Sequence, residues 1–380
     1  MKKQQKLCII GMFLVMVFGF TAVSLLKPDT DFSEKENRML AKMPELNAED
    51  VLNGTFSRDY ETYLTDQFFL RSEWIGIKTE VERLMLKQEI NDIYFAEDGY
   101  LIEKHSGSFD SPATVQNIST LAEFLKKQQA VFGADHVKAM IVPNAVEILK
   151  EKLPPFAVSG QEAEFLRRVR EALPADSFVD AGNILTAHTN EQLYYRTDHH
   201  WTTAAARYVY KVWAEEIGLT FVPDEGYTQE ILTDEFYGTI EAKVNTKTEA
   251  DVITAWKPLK TVPYTVMKNR DEASVKDSLY DLSCLDTRDK YAVYFGGNQP
   301  IIEIDTEAES ERSLLVLKDS YANCFVPFAV QDFSSVTMID LRYFNESLDE
   351  YMQANAFTDI LVLYNASGFA EDTSIGKLLH

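Results

Sequence analysis

Short apolar runs that alternate with helix-like segments constrain the fold of this chain more than any other feature. Three of them, Val137–Val142, Leu314–Leu317 and Ile360–Tyr364, are apolar along almost their whole length. Runs of this kind are typical of strands that are buried on both faces. Because segments with helical spacing lie before or after each run, the pattern predicts a three-layer α/β/α domain with a parallel sheet.

Other regions interrupt this rhythm. Between about residues 219 and 312 the alternation stops, and shorter apolar–polar patterns with glycine-containing turns predict a β-rich insertion. From Phe56 to about Gln88, apolar residues recur at helical intervals, which predicts one long helix. The segment Ile93–Ile102 predicts a hairpin around the turn Asp98-Gly99.

The N-terminus carries a candidate membrane segment. Lys2, Lys3 and Lys6 precede an uncharged apolar run from Leu7 to Leu26, which is long enough to cross a bilayer as a helix. Positive charge on one side predicts that the rest of the chain lies outside the cytoplasm. Ala22-Val23-Ser24 loosely fits a cleavage site, so secretion after cleavage remains the alternative to an uncleaved signal anchor. The expected domains are a membrane signal anchor (1–28), a stalk with a helical arm and hairpin (29–104), and the α/β domain (105–380).

Composition excludes some classes of function. The net charge is −23, from 37 basic and 60 acidic residues, and no basic cluster offsets it, so a nucleic acid would be repelled. Of the three cysteines, only Cys284 and Cys324 lie outside the apolar N-terminal run, which rules out a framework of several disulfides. A single bridge between these two remains open, although a buried, reduced Cys324 is the simpler interpretation.

The segment Asp198-His199-His200 holds two of the six histidines and is the first place to seek acid–base chemistry. A helix-prone run follows it, so His200 is expected near a helix N-terminus, where the helix dipole favours a neutral imidazole. In an extended segment, residues two apart share a side, so Asp198 can orient His200 while His199 points the other way. The competing interpretation is that these residues only cap the helix.

A metal site is the rival interpretation of the same segment. Neighbouring histidines point to opposite faces of a strand and about 100° apart on a helix, so His199 and His200 are not expected to share an ion. No HExxH motif or cysteine pair supplies further ligands. We therefore predict neither a metal nor another cofactor.

Ser320 is the best candidate for a nucleophile that such a base would activate. The sequence runs from the buried strand Leu314–Leu317 directly toward a helix expected over Tyr321–Val330, which places Ser320 at the carboxyl edge of the sheet. There the N–H groups of Ser320 and Tyr321 can face a developing oxyanion. The alternative is that Ser320 is an ordinary helix cap, with Asn323 three residues later.

Several motifs in order along the chain carry a resemblance. They are Glu36-Asn37-Arg38, Thr197-Asp198-His199-His200-Trp201-Thr202, Phe236-Tyr237-Gly238, Phe295-Gly296-Gly297-Asn298, Lys318-Asp319-Ser320-Tyr321-Ala322-Asn323 and Asp340-Leu341-Arg342-Tyr343-Phe344. Together they resemble the DHHW-motif proteins, which are similar to the SGNH-hydrolase-like proteins of alginate O-acetylation. The resemblance covers nearly all of the chain beyond the membrane segment.

The resemblance implies roles for particular residues. It carries over a triad of Ser320 as nucleophile, His200 as base and Asp198 as its orienter. SGNH hydrolases usually place the serine early and within Gly-Asp-Ser, whereas here it follows the Asp-His pair and Lys318 replaces the glycine. The serine's late position agrees with the alginate-type relatives. Candidate side-chain donors for an oxyanion or for substrate are Asn298, Asn323 and Asn365, and His199 and Trp201 are expected beside the reacting groups or in the substrate wall.

The N-terminal segment and the candidate triad predict an extracytoplasmic, membrane-anchored O-acyltransferase or acyl esterase. The resemblance implies that it acts on a cell-surface or secreted polysaccharide, with acetyl as the acyl group. The resemblance further implies a multi-span membrane O-acyltransferase as the partner that supplies acyl groups. A different class of function remains open, in which the chain binds polysaccharide or supports envelope assembly without catalysis. In that case Ser320, His200 and Asp198 need not meet in an accessible cleft.

Overall fold

The structure is a computed structural model that describes residues 3–33, 38–105, 107–246 and 248–380. The chain forms two compact units. The smaller unit comprises residues 1–87 and 242–247, and the larger comprises residues 88–241 and 248–380. Lys2, one of the three N-terminal lysines, lies outside the described residues, and so do Glu36 and Asn37 of the first motif.

The smaller unit is mainly helical. One helix in the described part, over Gln4–Ser24, is long and apolar enough to cross a membrane, and a signal sequence would meet the same criterion. The elements of this unit are α1 (Lys3–Leu26), β1 (Phe32–Ser33), β2 (Arg38–Met39), α2 (Ala48–Asn53), α3 (Thr55–Asp66) and α4 (Arg71–Leu84).

The single helix expected from Phe56 to about Gln88 is wrong, because the chain breaks between α3 and α4. Leu70 adopts a left-handed conformation with φ of 56°. Immediately before the break, Asp66 accepts two hydrogen bonds from Arg38, at 2.9 and 2.6 Å, and Gln67 donates to the Thr30 carbonyl at 3.0 Å. The polar side chains at the end of α3 thus bind the segments around Thr30 and Arg38. This is a tertiary interaction that the spacing of apolar residues does not reveal.

The larger unit begins with the predicted hairpin. Its strands are β3 (Glu89–Ile90), β4 (Ile93–Phe95) and β5 (Leu101–Glu103), paired antiparallel in sequence order. The turn contains Asp98 and Gly99 with φ of 55° and 76°, as an Asp-Gly turn between two strands requires. The helices of this unit are α5 (Pro112–Phe132), α6 (Ala145–Ile148), α7 (Gln161–Ala172), α8 (Ala181–Thr186), α9 (Thr203–Glu216), α10 (Thr239–Val244, which ends in the smaller unit), α11 (Val326–Ala329), α12 (Leu348–Ala354) and α13 (Ala366–Glu371).

A seven-stranded sheet organises the larger unit, in the order β10-β9-β11-β13-β12-β14-β6. The four strands β13, β12, β14 and β6 are parallel neighbours, and β11, β9 and β10 extend the sheet antiparallel. The strands are β6 (Val137–Val142), β7 (Tyr227–Phe236), β8 (Asp251–Pro258), β9 (Tyr264–Lys268), β10 (Asp271–Lys276), β11 (Ile301–Thr306), β12 (Ser313–Lys318), β13 (Ser335–Ile339) and β14 (Asp359–Asn365). The pair β7–β8 forms a sheet of its own.

The β-rich region between about residues 219 and 312 differs from the expected insertion. Its strands β9, β10 and β11 join the central sheet rather than interrupting it. Ile302 and Ile304 of β11 are buried, so this strand contributes to the same core as the parallel strands. Sequence periodicity indicates that this region is rich in strands but does not identify their partners.

The helix expected over Tyr321–Val330 is also different. A 3-10 turn, Ser320–Cys324, is followed by the four-residue helix α11. Pro327 explains the interruption, because it has no N–H group and its ring clashes with the preceding turn of a continuous helix. Ser320 therefore lies at a tight turn rather than at the start of a regular helix.

Two hydrophobic cores lie on opposite faces of the sheet. Along β12, Leu314 and Val316 belong to one core, and Leu315 and Leu317 belong to the other. The first core includes residues of α9 and the second includes residues of α5 and α7. This alternation gives the three layers that the apolar runs predict.

A buried carboxyl group beneath the sheet edge gives a first prediction. Burial raises the pKa of Glu162 in α7 to about 8, and its Oε2 atom has no hydrogen-bond partner among the described residues. Between the ordinary pKa near 4.5 and this value, the folded chain holds a proton that the unfolded chain releases. Glu162 therefore stabilises the fold at acid pH and loses that contribution as pH rises toward 8.

Glu162→Gln should remove this pH dependence. We expect the difference in unfolding free energy, variant minus wild type, to increase by up to about 1.4 kcal/mol per pH unit between about pH 5 and 8. Denaturant unfolding of the detergent-solubilised chain at several pH values measures it. Glu164→Gln, an exposed position on the same helix, is the matched control and should leave the slope unchanged. Equal slopes for wild type and Glu162→Gln would contradict the prediction.

Candidate active site

Polar residues converge at one edge of the sheet. Ser320 follows β12, Asp340 follows β13, and Asn365 ends β14, so all three lie at carboxyl ends of parallel strands. Asn298 precedes β11, which runs antiparallel to β13, and it therefore approaches the same edge. Sheet topology brings these residues together from distant parts of the sequence.

The structure brings Ser320, His200 and Asp198 into one hydrogen-bonded series. Nε2 of His200 lies 2.8 Å from Oγ of Ser320, and Nδ1 of His200 lies 2.5 Å from Oδ1 of Asp198. Asp198 and His200 are buried, whereas Ser320 is partly exposed. The arrangement allows His200 to accept the Ser320 proton while Asp198 holds the other ring nitrogen.

The Asp198 carboxylate is fixed by main-chain donors. Its Oδ1 accepts from the N–H of His200 at 3.0 Å, and its Oδ2 accepts from the N–H of Thr239 at 2.8 Å and the Thr239 hydroxyl at 3.0 Å. Burial alone would raise the pKa of Asp198, but the imidazoles of His199 and His200 and these hydrogen bonds together lower it below its ordinary value. The group is therefore a carboxylate at neutral pH.

Gly238 permits the close approach of the loop that carries Thr239. A Cβ atom at Gly238 would overlap the side chain of Asp198. The motif Phe236-Tyr237-Gly238 therefore contributes to the site through this absence of a side chain. Sequence reasoning singled out the motif without a role for it, because nothing in the pattern places it beside Asp198.

His199 does not point away from His200, as an extended segment would require. The two rings lie 3.9 Å apart between centroids, and Nδ1 of His199 lies 2.9 Å from the Thr239 hydroxyl. Residues 196–200 form a bend rather than a strand, so alternation of sides does not apply to them. The expected pairing of Asp198 with His200 is present, but the geometry that led to it is wrong.

This bend also reopens the question of a metal. Ligand atoms of Asp198, His199 and His200 lie within 4.8 Å of one another, close enough to hold an ion. However, both ring nitrogens of His200 already lie within hydrogen-bonding distance of Asp198 and Ser320. An ion that used the three ligands would have to displace either the contact with Asp198 or the contact with Ser320, so metal binding and the intact hydrogen-bonded series exclude each other at this geometry.

Two buried aromatic residues pack against the groups of the site. Trp201 is fully buried, and its Nε1 donates to the Tyr321 carbonyl at 2.9 Å, so of its two expected places it takes the one beside the reacting groups rather than the substrate wall. Tyr291 stacks on His200 at 3.7 Å between ring centroids and 14° between planes, and its hydroxyl donates to the Ser320 carbonyl at 3.3 Å. Sequence reasoning missed Tyr291, because no motif or spacing links it to either residue.

The turn at Ser320 supplies fewer main-chain donors than expected. The Tyr321 N–H donates to Oδ1 of Asp319 at 2.8 Å and is therefore not available to an oxyanion. Oδ2 of the same carboxyl accepts from the N–H and the side chain of Asn365, both at 2.7 Å. Burial raises the pKa of Asp319 to about 6. The Ser320 N–H has no partner among the described residues, so it remains a candidate donor.

The three candidate asparagines differ in what they can offer. Asn365 is occupied by Asp319, and Asn323 is buried, with its amide N–H donated to Oδ1 of Asn298 at 3.2 Å. Oδ1 of Asn298 also accepts from Nζ of Lys318 at 2.9 Å. The amide nitrogen of Asn298 has no partner in the described part of the chain. Of the three side chains, Asn298 is thus the one whose amide nitrogen makes no hydrogen bond to the described residues.

Solved structures share this fold. A DHHW family protein from Eubacterium siraeum is 25% identical, with a TM-score of 0.64 over 76% of this chain and 95% of that one. PatB1 of Bacillus cereus, solved with a sulfonyl adduct, is 21% identical, with a TM-score of 0.58 over 74% of this chain and 98% of that one. The O-acetyltransferase domain of Pseudomonas putida AlgJ is 14% identical over 76% of this chain and 98% of that one, but its TM-score of 0.44 is too low to carry an inference. No curated protein matches the sequence.

Membership of a family follows from the sequence itself. The DHHW protein family model matches residues 100–339, more than half of the 380 residues. The match includes the segment Asp198-His199-His200-Trp201 and Ser320, and hence the hydrogen-bonded series at the sheet edge. This chain belongs to the DHHW protein family.

Proposed function

We propose that this chain is a serine-dependent O-acyltransferase or acyl esterase with an SGNH-hydrolase-like site, in which Ser320 is the nucleophile, His200 the base and Asp198 the orienting carboxylate. The observation that carries the proposal is the series from Asp198 through His200 to Ser320, at 2.5 and 2.8 Å, which opens to solvent at Ser320. A binding protein or scaffold does not require these three side chains to converge.

The chemistry balances with the residues present. Oγ of Ser320 attacks the acyl carbonyl while Nε2 of His200 takes the hydroxyl proton, and His200 then gives this proton to the departing oxygen. In the second step His200 removes a proton from the acceptor hydroxyl, which attacks the acyl-serine. The bond from the acyl carbon to Oγ then breaks, and His200 returns the proton to Oγ of Ser320. Asp198 stabilises the imidazolium in both steps. A sugar hydroxyl as acceptor makes the reaction a transfer, and water makes it a hydrolysis.

The developing oxyanion needs donors at the same edge of the sheet. We assign this role to the N–H of Ser320 and the side-chain amide of Asn298, since neither has a partner in the described residues and both lie at the edge that carries the nucleophile. One such donor is worth about 100- to 1,000-fold in kcat. Asn323 and Asn365, whose amides already donate to Asn298 and Asp319, are supports in this scheme.

The substrate class and location come from the resemblance to alginate O-acetylation proteins rather than from the geometry of the site. The resemblance indicates an acetyl group, a cell-surface or secreted polysaccharide and a membrane O-acyltransferase as acyl supplier. With the N-terminal lysines on the cytoplasmic side, α1 would anchor the site outside the cytoplasm. A reporter fused after His380 should then be accessible only from outside, and accessibility from the cytoplasm would overturn the location and the substrate class together.

Hydrolysis of p-nitrophenyl acetate by the detergent-solubilised chain tests the reaction type. We expect activity in the wild type, its loss in Ser320→Ala, and an acetyl group trapped on Ser320 and detected by peptide mass spectrometry. Ser313→Ala, at the other end of the same strand, is the matched control and should keep its activity. Activity that survives Ser320→Ala would refute the proposed nucleophile.

A further inference from the structure

Lys318 is a fully buried lysine two residues before the proposed nucleophile. Burial of an ammonium costs several kcal/mol unless hydrogen bonds and an opposite charge compensate it. Packing alone does not call for a charge here, since the preceding residues of β12, Leu314–Leu317, fill the two cores with apolar side chains. The contacts of the ammonium therefore indicate what it contributes.

The ammonium is shared between two amide oxygens. Nζ of Lys318 donates to Oδ1 of Asn298 at 2.9 Å and to Oδ1 of Asn323 at 2.8 Å. The amide nitrogen of Asn323 donates in turn to Oδ1 of Asn298 at 3.2 Å. Oδ1 of Asn298 thus accepts from two donors. An inverted amide would put its N–H groups against both, so the orientation of Asn298 is determined by this network.

An ion pair between Asp340 and Arg342 lies beside Lys318, but its carboxylate is not hydrogen-bonded to the ammonium. Oδ2 of the buried Asp340 lies 3.8 Å from Nζ of Lys318. Asp340 accepts its shorter hydrogen bonds from Arg342, at 2.8 and 2.6 Å. Asp340 therefore offsets the charge of Lys318, while the ammonium keeps its closest contacts with the amides. Three motifs, around Asn298, Lys318 and Asp340, meet in this network.

We propose that Lys318 is a positioning residue, whose ammonium holds the Asn298 side chain so that its amide N–H faces the acyl oxygen at Ser320. This inference rests on the proposed function, because Asn298 acts on the oxyanion of that reaction. Lys318 itself does not touch substrate. Its place at the end of a parallel strand lets one side chain join the nucleophile's turn to the loop that carries Asn298.

The protonation state of Lys318 should also affect how activity depends on pH. Burial lowers the pKa of Lys318 to about 8. The carboxyl groups of Asp340 and Asp319 oppose this effect, and the Arg342 guanidinium adds to it. Above that pH the amine is neutral and donates more weakly to Asn298. Activity should therefore fall as pH rises above about 8, and this alkaline limb should be absent from a variant without the lysine.

Lys318→Met tests the inference, because it keeps the unbranched shape and most of the length of the side chain and removes the donor. We expect kcat for p-nitrophenyl acetate to fall about 10- to 100-fold, with KM changed less than about threefold. The double variant with Asn298→Ala should be no slower than Asn298→Ala alone, since both act through one amide. Lys138→Met is the matched control: Lys138 is a buried lysine in β6 that donates to the Asp176 carbonyl, and its loss should leave kcat unchanged.

Each outcome decides the matter. Unchanged kcat in Lys318→Met, a product of the two losses in the double variant, or a fall in kcat that follows a fall in melting temperature would each overturn the inference. Loss of activity in Ser320→Ala together with unchanged kcat in Lys318→Met would overturn it and leave the proposed function intact. Crystal structures of the wild type and Lys318→Met need no substrate, and an unmoved Asn298 amide would overturn the inference even if the chain had no esterase activity.

Discussion

His200→Ala is expected to lower kcat of ester cleavage by roughly four to six orders of magnitude, about as much as Ser320→Ala. In the proposed mechanism the two side chains act as one unit, because Nε2 of His200 lies 2.8 Å from Oγ of Ser320 and would take its proton. The double variant should therefore be no slower than either single variant. Rates of p-nitrophenyl acetate hydrolysis, with acetylation of Ser320 followed separately, measure the three losses.

His199→Ala is the matched comparison within the same motif. Its Nδ1 lies 2.9 Å from the Thr239 hydroxyl and its ring packs against His200, so its loss should cost only about tenfold through packing. The bend that brings both rings beside Asp198 makes this comparison sharper, because a metal would need both histidines. Equal and complete loss from both variants, together with zinc bound to the wild type, would refute the triad.

The sequence alone predicts the parts of the fold that are local and regular. Apolar runs identify β6, β12 and β14, because a strand buried on both faces needs apolar side chains on both. The same reasoning cannot say that β9, β10 and β11 extend this sheet, because partner choice depends on contacts distant in sequence. The break before Leu70 was missed for a similar reason, since Asp66 and Gln67 end the helix by binding a distant segment.

The residues of the candidate site also fall into those that the sequence alone reveals and those that depend on contacts distant in sequence. Asp198, His200 and Ser320 were identifiable because their residue types suit the chemistry and because their motifs resemble a family. Residues whose role depends on where the fold places them could not be identified from the sequence. Tyr291 stacks on His200 through a contact 91 residues away in sequence, and Gly238 matters only because Asp198 occupies the space beside it. The roles of the candidate asparagines likewise depend on which amides already donate hydrogen bonds. Only the three-dimensional structure reveals this.

Asp198→Asn is expected to lower kcat by about four orders of magnitude while the chain stays folded. Both carboxylate oxygens accept main-chain N–H groups, from His200 on Oδ1 and from Thr239 on Oδ2. An amide nitrogen at either place would face a donor, so the side chain would shift or release the Nδ1–H of His200. The imidazole could then adopt the tautomer that carries its proton on Nε2, which cannot accept the Ser320 proton.

Asp251→Asn provides the control that separates this effect from damage to the loop. Asp251 is equally buried and accepts from the N–H groups of Arg196 and Thr197, at 2.9 and 2.8 Å, but it has no hydrogen bond to His200. Its replacement should lower the melting temperature at least as much as Asp198→Asn, yet leave kcat within about tenfold of wild type. Similar losses of kcat in the two variants would mean that Asp198 acts by folding the loop. In that case its proposed role in fixing the tautomer of His200 would be wrong.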